Sequence, residues 1–477
     1  MNYRIIADLS AEQIVDKMIK GDLPPLDELK KIAADQEIDF GFEKQKQVKK
    51  LLNDRDEMAF AAANTLSELE EYLSAFSAGN HVGEAEERIR QMEDDDAFAI
   101  ACDANTEKAF QTYLSEFPDG TYADEAGEKI QRIKMLEEIR KDINEYTPGE
   151  IKLKKLNEKD LDDLCEKLGI DVQRVINFRE PNLRFSEKIP QKENDIPKDY
   201  TDVFFWGISS SGKTCALSAI LSTMKQYYAV EQPDCPTKFG ATYRDSLIEI
   251  FLNKTYGYLP GRTAADRTQY MPFLFYQSGD TRKRRISFFE LSGEVFKYFY
   301  EKVYETHIIE DQSQRDTIVN SFQTLELLLN SNNRKIHFFF IDYNQETKHT
   351  VDDKGLTQSN YLEAAATYFR DTNDILKDKT DAVYVVVTKS DEIQNRYSSK
   401  KESVDSFLAE NFGSFMRVLR KLCHDRSVEF HVEHFSIGKV YFKQICKIDR
   451  TCSQKIIKEL LYWVKPESGI FRRIGNR

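Results

Sequence analysis

Residues 207–214 read GISSSGKT and fit the pattern G-x-x-x-x-G-K-[ST] at every position. In this pattern Gly207 and Gly212 let the backbone curl, so that successive N–H groups point at phosphate oxygens in front of a helix N-terminus. Lys213 would bring a positive charge to the β- and γ-phosphates, and the Thr214 hydroxyl would ligate Mg²⁺. The residues predicted to contact a nucleotide through this loop are Gly207, Ser209, Ser210, Ser211, Gly212, Lys213, Thr214 and Cys215.

The flanking residues bear on whether this stretch is a phosphate site or an ordinary turn. The apolar run Val203-Phe204-Phe205-Trp206 precedes it, as expected for a strand buried on both faces. Apolar residues at positions 216, 217, 220 and 221 follow with helical spacing. The order strand, loop, helix favours the phosphate site over a Ser/Gly-rich turn before an ordinary helix.

A second motif, Thr388-Lys389-Ser390-Asp391, follows the apolar run Val385-Val386-Val387. It therefore lies at the C-terminal end of a predicted strand, where open α/β sheets bind ligands. The Asp391 carboxylate can accept from both the N1–H and the exocyclic amine of guanine, a donor pair that adenine lacks, and the Lys389 stem can lie over the base. Such a tetrapeptide can also be a surface turn, but its place after the phosphate loop and two further strands favours guanine.

A third motif is ISFFELSGE at residues 286–294. With the two motifs above, it resembles the TRAFAC-class P-loop GTPases, the group that includes the Ras-like enzymes, whose third motif is D-x-x-G. The resemblance implies that Glu290 stands on the Mg²⁺ side in place of aspartate and that the Gly293 N–H contacts the γ-phosphate. Glu294 matches the glutamine that orients the attacking water, which implies a catalytic role. The alternative for Glu294 is a helix N-terminal residue favoured by the macrodipole.

The first switch of such a GTPase is expected between residues 235 and 272. The best stretch is 259–268, because it is loop-like and precedes a strand. Thr263 or Thr268 would close on Mg²⁺, with Thr263 preferred, and Arg262 or Arg267 would act as an arginine finger in cis, with Arg262 preferred.

The fifth motif, which contacts the base through backbone groups, is expected at residues 435–438, and Ser436 is the predicted contact. The resemblance covers about residues 200–440. Its third motif, its helical insertions at 306–333 and 345–380 and its N-terminal repeats are also similar to bacterial conflict-associated double-GTPase proteins.

The alternation of strands and helices after residue 200 predicts an α/β P-loop NTPase domain, with a mostly parallel sheet and helices on both faces, over 200–477. The predicted strands are Val203–Trp206, Pro272–Tyr276, Arg285–Glu290, Ile336–Tyr343, Ala382–Thr388 and Val428–Phe435. The predicted helices follow the phosphate loop and cover 294–304, 361–369, 403–422 and 453–464.

An internal repeat with a period of 41 residues precedes that domain. Ala63-Asn64-Thr65 returns as Ala104-Asn105-Thr106, and Tyr72-Leu73-Ser74 returns as Tyr113-Leu114-Ser115. Each copy predicts a helical hairpin that is capped by a threonine, with Gly79 or Gly120 ending its first helix. The pattern resembles tetratricopeptide-like (TPR-like) repeats, and flanking helices are expected to complete the stack.

These patterns predict an all-α helical-repeat region before the α/β domain. The predicted divisions are a helical region at 1–55, two TPR-like hairpins at 56–139 and a helical connector at 140–199. The main domain boundary is placed in the charged stretch 180–198, which contains three prolines.

Composition limits the class and the partners of the protein. The seven cysteines are scattered without a C-x-x-C pair, and no apolar run approaches a membrane span, so a cytoplasmic protein with reduced thiols is expected. The net charge of −13 argues against a nucleic-acid partner. Residues 56–133 hold 19 acidic and 5 basic residues, which is either a solvated helix surface or a surface for a basic protein partner.

The combined expectation is a Mg²⁺-dependent GTP-binding and hydrolysing switch, slow without an activator, whose repeat arm engages a protein partner. Self-association that depends on nucleotide is also expected from the resemblance. The alternatives are a non-catalytic nucleotide-binding scaffold, which Glu290 and Glu294 favour, and an ATPase, which would make Asp391 incidental.

Overall fold

The computed structural model describes residues 3–141, 145–154, 156, 158–183, 187–231, 239–261, 268–277, 282–372, 376, 379–393 and 398–466. The chain divides into two compact units, Met1–Lys141 and Asp142–Arg477. The described part of the first unit is helical, and the second contains a mostly parallel sheet with flanking helices, which confirms the predicted order of an all-α region before an α/β domain. Across the described residues, no helix combines the length and the apolar character needed to span a membrane.

Seven α-helices form the described part of the first unit. They are α1 (Ala11–Ile19), α2 (Leu26–Asp35), α3 (Phe42–Ala62), α4 (Leu66–Ala75), α5 (Val82–Ala104), α6 (Glu107–Glu116) and α7 (Ala123–Lys141). The first three helices share a small core that includes Ile14, Leu29 and Val48. Two further small cores lie along the later helices.

The 41-residue repeat corresponds to two helical hairpins, α4 with α5 and α6 with α7. Thr65 is the N-cap of α4, as predicted, and forms a capping box with Glu68, in which its hydroxyl accepts from the Glu68 N–H. The prediction that the glycines end the first helix of each hairpin is wrong, because α4 ends at Ala75 and α6 ends at Glu116.

The repeated glycines instead allow a close approach to buried carboxylates. A Cβ atom at Gly79 would lie 2.3 Å from Asp56 Oδ1, and one at Gly120 would lie 2.7 Å from Asp94 Oδ1. No side chain can occupy either position without displacing the carboxylate. The glycines therefore mark turns that pack directly on the preceding long helix.

Each of those aspartates joins the preceding helix to the hairpin that follows. Asp56 accepts from the Tyr72 hydroxyl (2.6 Å) and the Asn80 N–H (2.6 Å). Asp94 accepts from the Tyr113 hydroxyl (2.5 Å) and from the Thr121 N–H (2.7 Å). Burial raises the pKa of Asp94, but these hydrogen bonds outweigh burial and leave its pKa below the ordinary value.

The second unit begins with the connector, which contains α8 (Pro148–Leu153), α9 (Glu158–Leu168) and α10 (Val172–Ile176). The predicted boundary at 180–198 does not coincide with the division of the chain, which falls at Lys141. The reason is that this stretch packs on the α/β core. The Thr324 hydroxyl donates to the Pro190 carbonyl (2.8 Å), and Asn333 Nδ2 donates to the Pro197 carbonyl (3.0 Å).

Strands and helices alternate through the rest of this unit. They are β1 (Thr201–Trp206), α11 (Lys213–Tyr227), β2 (Tyr228–Glu231), α12 (Ala241–Phe251), β3 (Tyr256–Tyr258), β4 (Gln269–Gln277), β5 (Arg284–Glu290), α13 (Gly293–Tyr304), α14 (Gln312–Asn330), β6 (Arg334–Asp342), α15 (Tyr343–Thr347), α16 (Gln358–Asp371), β7 (Thr380–Thr388), α17 (Lys400–Asn411), α18 (Gly413–Asp425), β8 (Glu429–Phe435), β9 (Gly438–Tyr441), β10 (Ile445–Ile448) and α19 (Thr451–Trp463).

The main sheet has seven strands in the order β2-β4-β5-β1-β6-β7-β8, and the described small sheet has the order β3-β10-β9. The strands β5, β1, β6, β7 and β8 run parallel, whereas β4 is antiparallel to both of its neighbours. After β1 the chain forms β2, β4 and β5 on one side of β1, and it then crosses to form β6, β7 and β8 on the other side. The carboxyl end of β1 is therefore a topological switch point, where such sheets bind ligands.

Four of the six predicted strands lie within observed strands, and the other two extend one residue beyond β6 and β8, at Tyr343 and Val428. The helix predicted over 403–422 is instead two helices, because α17 ends at Asn411 and α18 begins at Gly413. Buried Phe412 lies between them and belongs to the apolar core. Four short strands and the helix α12 were not predicted, whereas α14 lies within the predicted helical insertion at 306–333.

The core consists of apolar layers on the two faces of the sheet. Along fully buried β1, Phe204 and Trp206 face one layer, whereas Val203 and Phe205 face the other. On β6 the buried His337 accepts at Nδ1 from the Trp206 indole N–H (3.1 Å). Burial and, to a smaller extent, the nearby Lys335 charge together lower the pKa of His337 to about 3.

Candidate functional site

The GISSSGKT loop joins β1 to α11 at the switch point. Gly207 has φ +142°, and a Cβ there would lie 2.8 Å from the Phe340 carbonyl oxygen. Ser210 (φ +64°) and Gly212 (φ +86°) are in the left-handed region, and Gly212 is the N-cap of α11. The loop therefore curls back over the end of its own strand, as the two glycines predict.

Lys213 is almost fully buried beneath this loop. Its ammonium donates to the carbonyl oxygens of Gly207 and Ile208 (2.7 Å each) and to the Ser211 hydroxyl (3.3 Å). Burial lowers the pKa of Lys213 to about 8, against the charges of Glu290 and Glu294, which raise it. The loop thus surrounds a cation that remains mostly protonated at neutral pH.

Glu290 ends β5 beside the start of α11. One carboxylate oxygen accepts from the Thr214 hydroxyl and the other accepts from the Tyr243 hydroxyl (2.7 Å). Burial raises the pKa of Glu290 above its ordinary value, although both hydrogen bonds and Lys213 oppose this. A hydroxyl and a carboxylate side by side are oxygen donors that suit Mg²⁺, with phosphate and water oxygens to complete the shell.

The backbone of the ELSGE motif touches the loop directly. Gly293 is the first residue of α13, and a Cβ at this position would lie 2.0 Å from the Ser209 nitrogen. Ser292 caps this helix, because its hydroxyl accepts from the Val295 N–H (3.2 Å). The N-termini of α11 and α13 therefore meet at the same loop.

The TKSD motif contacts the loop from the neighbouring strand, as β7 ends at Thr388. The Thr388 hydroxyl donates to the Ser211 carbonyl (2.9 Å). Lys389 (φ +55°) donates to buried Asp342 (2.8 Å), which ends β6. Three strand ends are thus tied together around the loop.

Two adjoining cavities open at this edge of the sheet. We call them the loop cavity, of about 480 Å³, and the TKSD cavity, of about 410 Å³. The loop cavity is lined by Ser209 to Cys215, Glu290 to Gly293, Leu259 to Gly261, Thr147, Lys389, Lys443 and Gln444. The TKSD cavity is lined by Glu145, Gly212, Cys215, Leu259, Asn344, Gln345, Lys348, Thr350, Thr388, Lys389, Asp391, Glu392, Phe435 to Gly438, Val440 and Lys443.

Most of the predicted site residues meet in these two cavities. The predicted contacts that line one or both are Ser209, Ser210, Ser211, Gly212, Lys213, Thr214, Cys215, Glu290, Gly293, Thr388, Lys389, Asp391 and Ser436. Gly207 lies beneath them as a carbonyl partner of Lys213. Burial raises the pKa of the Cys215 thiol to about 12, so Cys215 contributes backbone and bulk rather than a thiolate.

Glu294 lies apart from that group. Its carboxylate is 3.5 Å from Lys297 Nζ, which in turn is 3.3 Å from Asp352. It lines a separate polar cavity of about 210 Å³ together with residues from both predicted insertions. The catalytic role of Glu294 stays a prediction, and it would require the side chain to leave Lys297.

The predicted switch residues Arg262, Thr263 and Arg267 fall outside the described residues. Thr268 is described, just before β4, and is buried. Its hydroxyl has no hydrogen-bond partner among the residues that the structure describes. Thr268 also lines neither of the two cavities.

Several site residues were not predicted from the sequence. Tyr243 lies on α12, which has no recognisable motif, and Lys443 lies in a hairpin turn without glycine or proline. Asp342 could have been predicted from the sequence, because an acidic residue at the carboxyl end of a buried parallel strand lies at the edge of the sheet where ligands bind. Gln345 Nε2 donates to the Ser209 carbonyl (3.2 Å) and belongs to the same group.

Comparison with known proteins gives no independent assignment. No protein-family model matches the chain, and a search of curated proteins finds no match.

Proposed function

We propose that this protein is a Mg²⁺-dependent GTP-binding and hydrolysing switch of the P-loop GTPase type. The observation that carries the proposal is the pair of adjoining cavities at the switch point of the sheet. One contains the GISSSGKT loop with Lys213 and Glu290, and the other contains Asp391. Their size and their shared wall fit a nucleotide whose phosphates occupy the loop cavity and whose base occupies the TKSD cavity.

In the loop cavity, Lys213 would exchange its carbonyl partners for phosphate oxygens, while backbone N–H groups of the loop donate to the same phosphates. Thr214 and Glu290 would hold Mg²⁺, which neutralises charge between the β- and γ-phosphates. Gly293 would present its N–H to the γ-phosphate, because no side chain separates its backbone from the loop. The chain would therefore sense the γ-phosphate at the start of α13.

In the TKSD cavity, Asp391 would accept from the two guanine donors and so select guanine over adenine. The stem of Lys389 lines both cavities, and its ammonium is held by Asp342, so the stem can lie against the base. Thr388 would keep this wall in register with the loop, because its hydroxyl donates to the Ser211 carbonyl. The Thr388 side chain would thereby connect the part of the site that selects the base with the part that binds the phosphates.

The repeat hairpins of the first unit are proposed to bind a protein partner, and their acidic composition suits a basic surface. We place the protein in a reducing compartment such as the cytoplasm, since the six described cysteines are free.

A non-catalytic nucleotide-binding scaffold is the second candidate, and the position of Glu294 favours it. In the structure the Glu294 carboxylate pairs with Lys297 and faces a different cavity from the loop. Binding would then serve the stability or conformation of the protein without turnover. Glu294→Ala separates the two functions, because it should slow hydrolysis only if this carboxylate orients water.

The proposal is tested by binding and turnover of GTP and ATP with Mg²⁺, using Lys213→Ala and Asp391→Asn. We expect Lys213→Ala to abolish nucleotide binding, because it removes the ammonium that donates to the loop carbonyls beneath the loop. Asp391→Asn should weaken GTP binding by about tenfold or more and reduce the preference over ATP, since a charge-assisted pair is lost. Lys225→Ala, an exposed lysine on the same helix α11, serves as the control and should bind normally.

Either of two results would contradict the proposal. One is a preference for ATP in the wild-type protein, and the other is unchanged base discrimination in Asp391→Asn. GTP binding without turnover would instead favour the scaffold.

A further inference from the structure

Lys443 occupies the wall that the loop cavity and the TKSD cavity share. The parts of a nucleotide that would pass this wall are the ribose and the α-phosphate, because they join the base to the β- and γ-phosphates. We propose that Lys443 is a nucleotide-binding residue whose ammonium contacts the α-phosphate, with Glu145 as its competing partner. This inference rests on the proposed function and adds a residue outside the predicted motifs.

The backbone of Lys443 is fixed by its surroundings. Phe442 (φ +49°) and Lys443 (φ +55°) form the turn between β9 and β10, and non-glycine residues adopt this conformation only at a cost of about 1 kcal/mol or more. The Phe442 side chain is fully buried, and the Gln444 carbonyl accepts from the Leu259 N–H (2.7 Å). Such strain persists where surrounding contacts hold it, and it concentrates at ligand-binding sites.

The same hairpin also forms the base side of the site. Ser436 and Gly438, at its beginning, line the TKSD cavity, and Lys443, at its tip, lines both cavities. Because β10 also pairs with β3, the hairpin is held in a three-stranded sheet rather than exposed as a loop. Lys443 can therefore place its charge reproducibly beside Gly212 and Cys215.

Its ammonium has a carboxylate partner that a phosphate can replace. Glu145 lies 3.0 Å from Lys348 Nζ and 3.6 Å from Lys443 Nζ, and it lines the TKSD cavity. All three side chains are at least 40% exposed, so the pairs are weak and exchangeable. A phosphate at the shared wall would attract Lys443 and repel Glu145.

This arrangement predicts opposite effects for the two members of the pair. Lys443→Gln should weaken GDP binding by about tenfold, because it removes one charge-assisted contact with phosphate. Glu145→Gln should strengthen GDP binding a few-fold, because it frees Lys443 and removes a negative charge near the phosphate. If the two residues form only a structural ion pair, both variants would change affinity in the same direction.

The experiment is isothermal titration of GDP into the wild type, Lys443→Gln, Lys443→Arg and Glu145→Gln. Lys443→Arg should retain affinity within a few-fold, as the charge remains, and Lys447→Gln provides the control because Lys447 is exposed on β10 and lines neither cavity. Unchanged affinity in Lys443→Gln, or shifts of the same sign in both variants, would overturn the inference while leaving the GTPase proposal intact. If the wild type binds no guanine nucleotide, the proposed function fails and this inference fails with it.

Discussion

Gly293 allows helix α13 to contact the GISSSGKT loop closely, because it has no side chain. The first turn of α13 lies against the loop backbone, and a Cβ at Gly293 would be 2.0 Å from the Ser209 nitrogen. The Ser209 nitrogen is a backbone atom, so it cannot rotate aside as the end of a flexible side chain would. A change in the position of the loop must therefore reach α13 directly.

We expect Gly293→Ala to destabilise the second unit by about 1–3 kcal/mol, since the methyl group forces backbone apart. It should also weaken the proposed binding of GTP, because the displaced residue belongs to the GISSSGKT loop. Chemical unfolding and nucleotide titration measure the two effects.

Gly413→Ala is the matched control for this substitution. Gly413 also begins a helix of the second unit, α18, and a Cβ there would meet nothing within 4 Å. Alanine is expected to be neutral there, or stabilising by up to about 1 kcal/mol. A Gly293→Ala protein as stable as Gly413→Ala, with normal affinity, would contradict the close approach.

At the scale of residues, the sequence predicted those parts of the site that depend on backbone conformation and on fixed spacing. The two glycines of the loop and the TKSD motif are of this kind. The hydroxyl of Tyr243 and the ammonium of Lys443 reach the site from distant segments, and only the three-dimensional fold brings them there. The turn that contains Lys443 was also hard to predict, because it has phenylalanine and lysine at positions where glycine or asparagine is usual.

The strands β1 and β6 are joined inside the core by a polar contact as well as by their ladder. The indole N–H of Trp206 donates to His337 Nδ1, so that nitrogen must be unprotonated. Protonation would place two donors face to face in a layer of aromatic rings. The low pKa of His337, about 3 against an ordinary value of 6.5, follows first from burial and then from the nearby charge of Lys335.

This contact should make the α/β unit sensitive to acid. The folded-state pKa of His337 lies below its unfolded value, so the unfolded state binds more protons between about pH 3 and 6.5, and stability falls as the pH falls. The contribution is up to about 1.4 kcal/mol for each pH unit in that window. We expect His337→Gln, which keeps an acceptor for Trp206, to lose less stability than the wild type between pH 7.5 and 5.0.

Chemical unfolding of both proteins at the two pH values checks this difference. His424→Gln changes an exposed histidine on α18 and should lose as much stability as the wild type. An equal loss in His337→Gln and in the wild type would show that His337 does not control the acid response.

At the scale of elements, apolar content decided what could be predicted. Four of the predicted strands, those in β1, β4, β6 and β7, carry apolar runs of at least four residues, as buried strands of such sheets require. The short strands β2, β3, β9 and β10 hold three or four residues each, too few for a periodic pattern. The break between α17 and α18 has no proline; buried Phe412 lies between the two helices, and Gly413 begins the second.

At the scale of the whole molecule, the two units are stabilised by different means. The α/β unit has large apolar layers on a seven-stranded sheet, whereas the repeat hairpins have small cores supplemented by buried carboxylates. A substitution at such a carboxylate should therefore affect the helical unit selectively.

We expect Asp94→Asn to lower the stability of the helical unit by about 1–3 kcal/mol, because it weakens two charge-assisted hydrogen bonds in a buried position. Hydrogen exchange should show reduced protection in α5, α6 and α7, with protection in the main sheet unchanged. Asp96→Asn, two residues along the same helix and exposed, should behave as the wild type. Equal loss of protection in both units, or none in α6, would contradict this account.

The 41-residue period predicted the hairpins but not these aspartates. Asp56 precedes its tyrosine by 16 residues, and Asp94 precedes its tyrosine by 19. The two separations differ by three residues, which is close to one helical turn. The aspartate therefore lies on nearly the same face of its helix in both copies, although it does not occupy the same position of the 41-residue repeat. A search for identical spacing therefore misses a contact that the structure repeats.

These aspartates also give the array a direction. Each hairpin is completed by an acid on the helix before it, since Asp56 on α3 serves Tyr72 and Asp94 on α5 serves Tyr113. Trimming the array from α7 would leave the earlier pair whole, whereas trimming it from α3 would leave Tyr72 without its acceptor. The last hairpin can thus be removed without breaking the Asp56–Tyr72 pair, whereas α3 cannot be removed without breaking it.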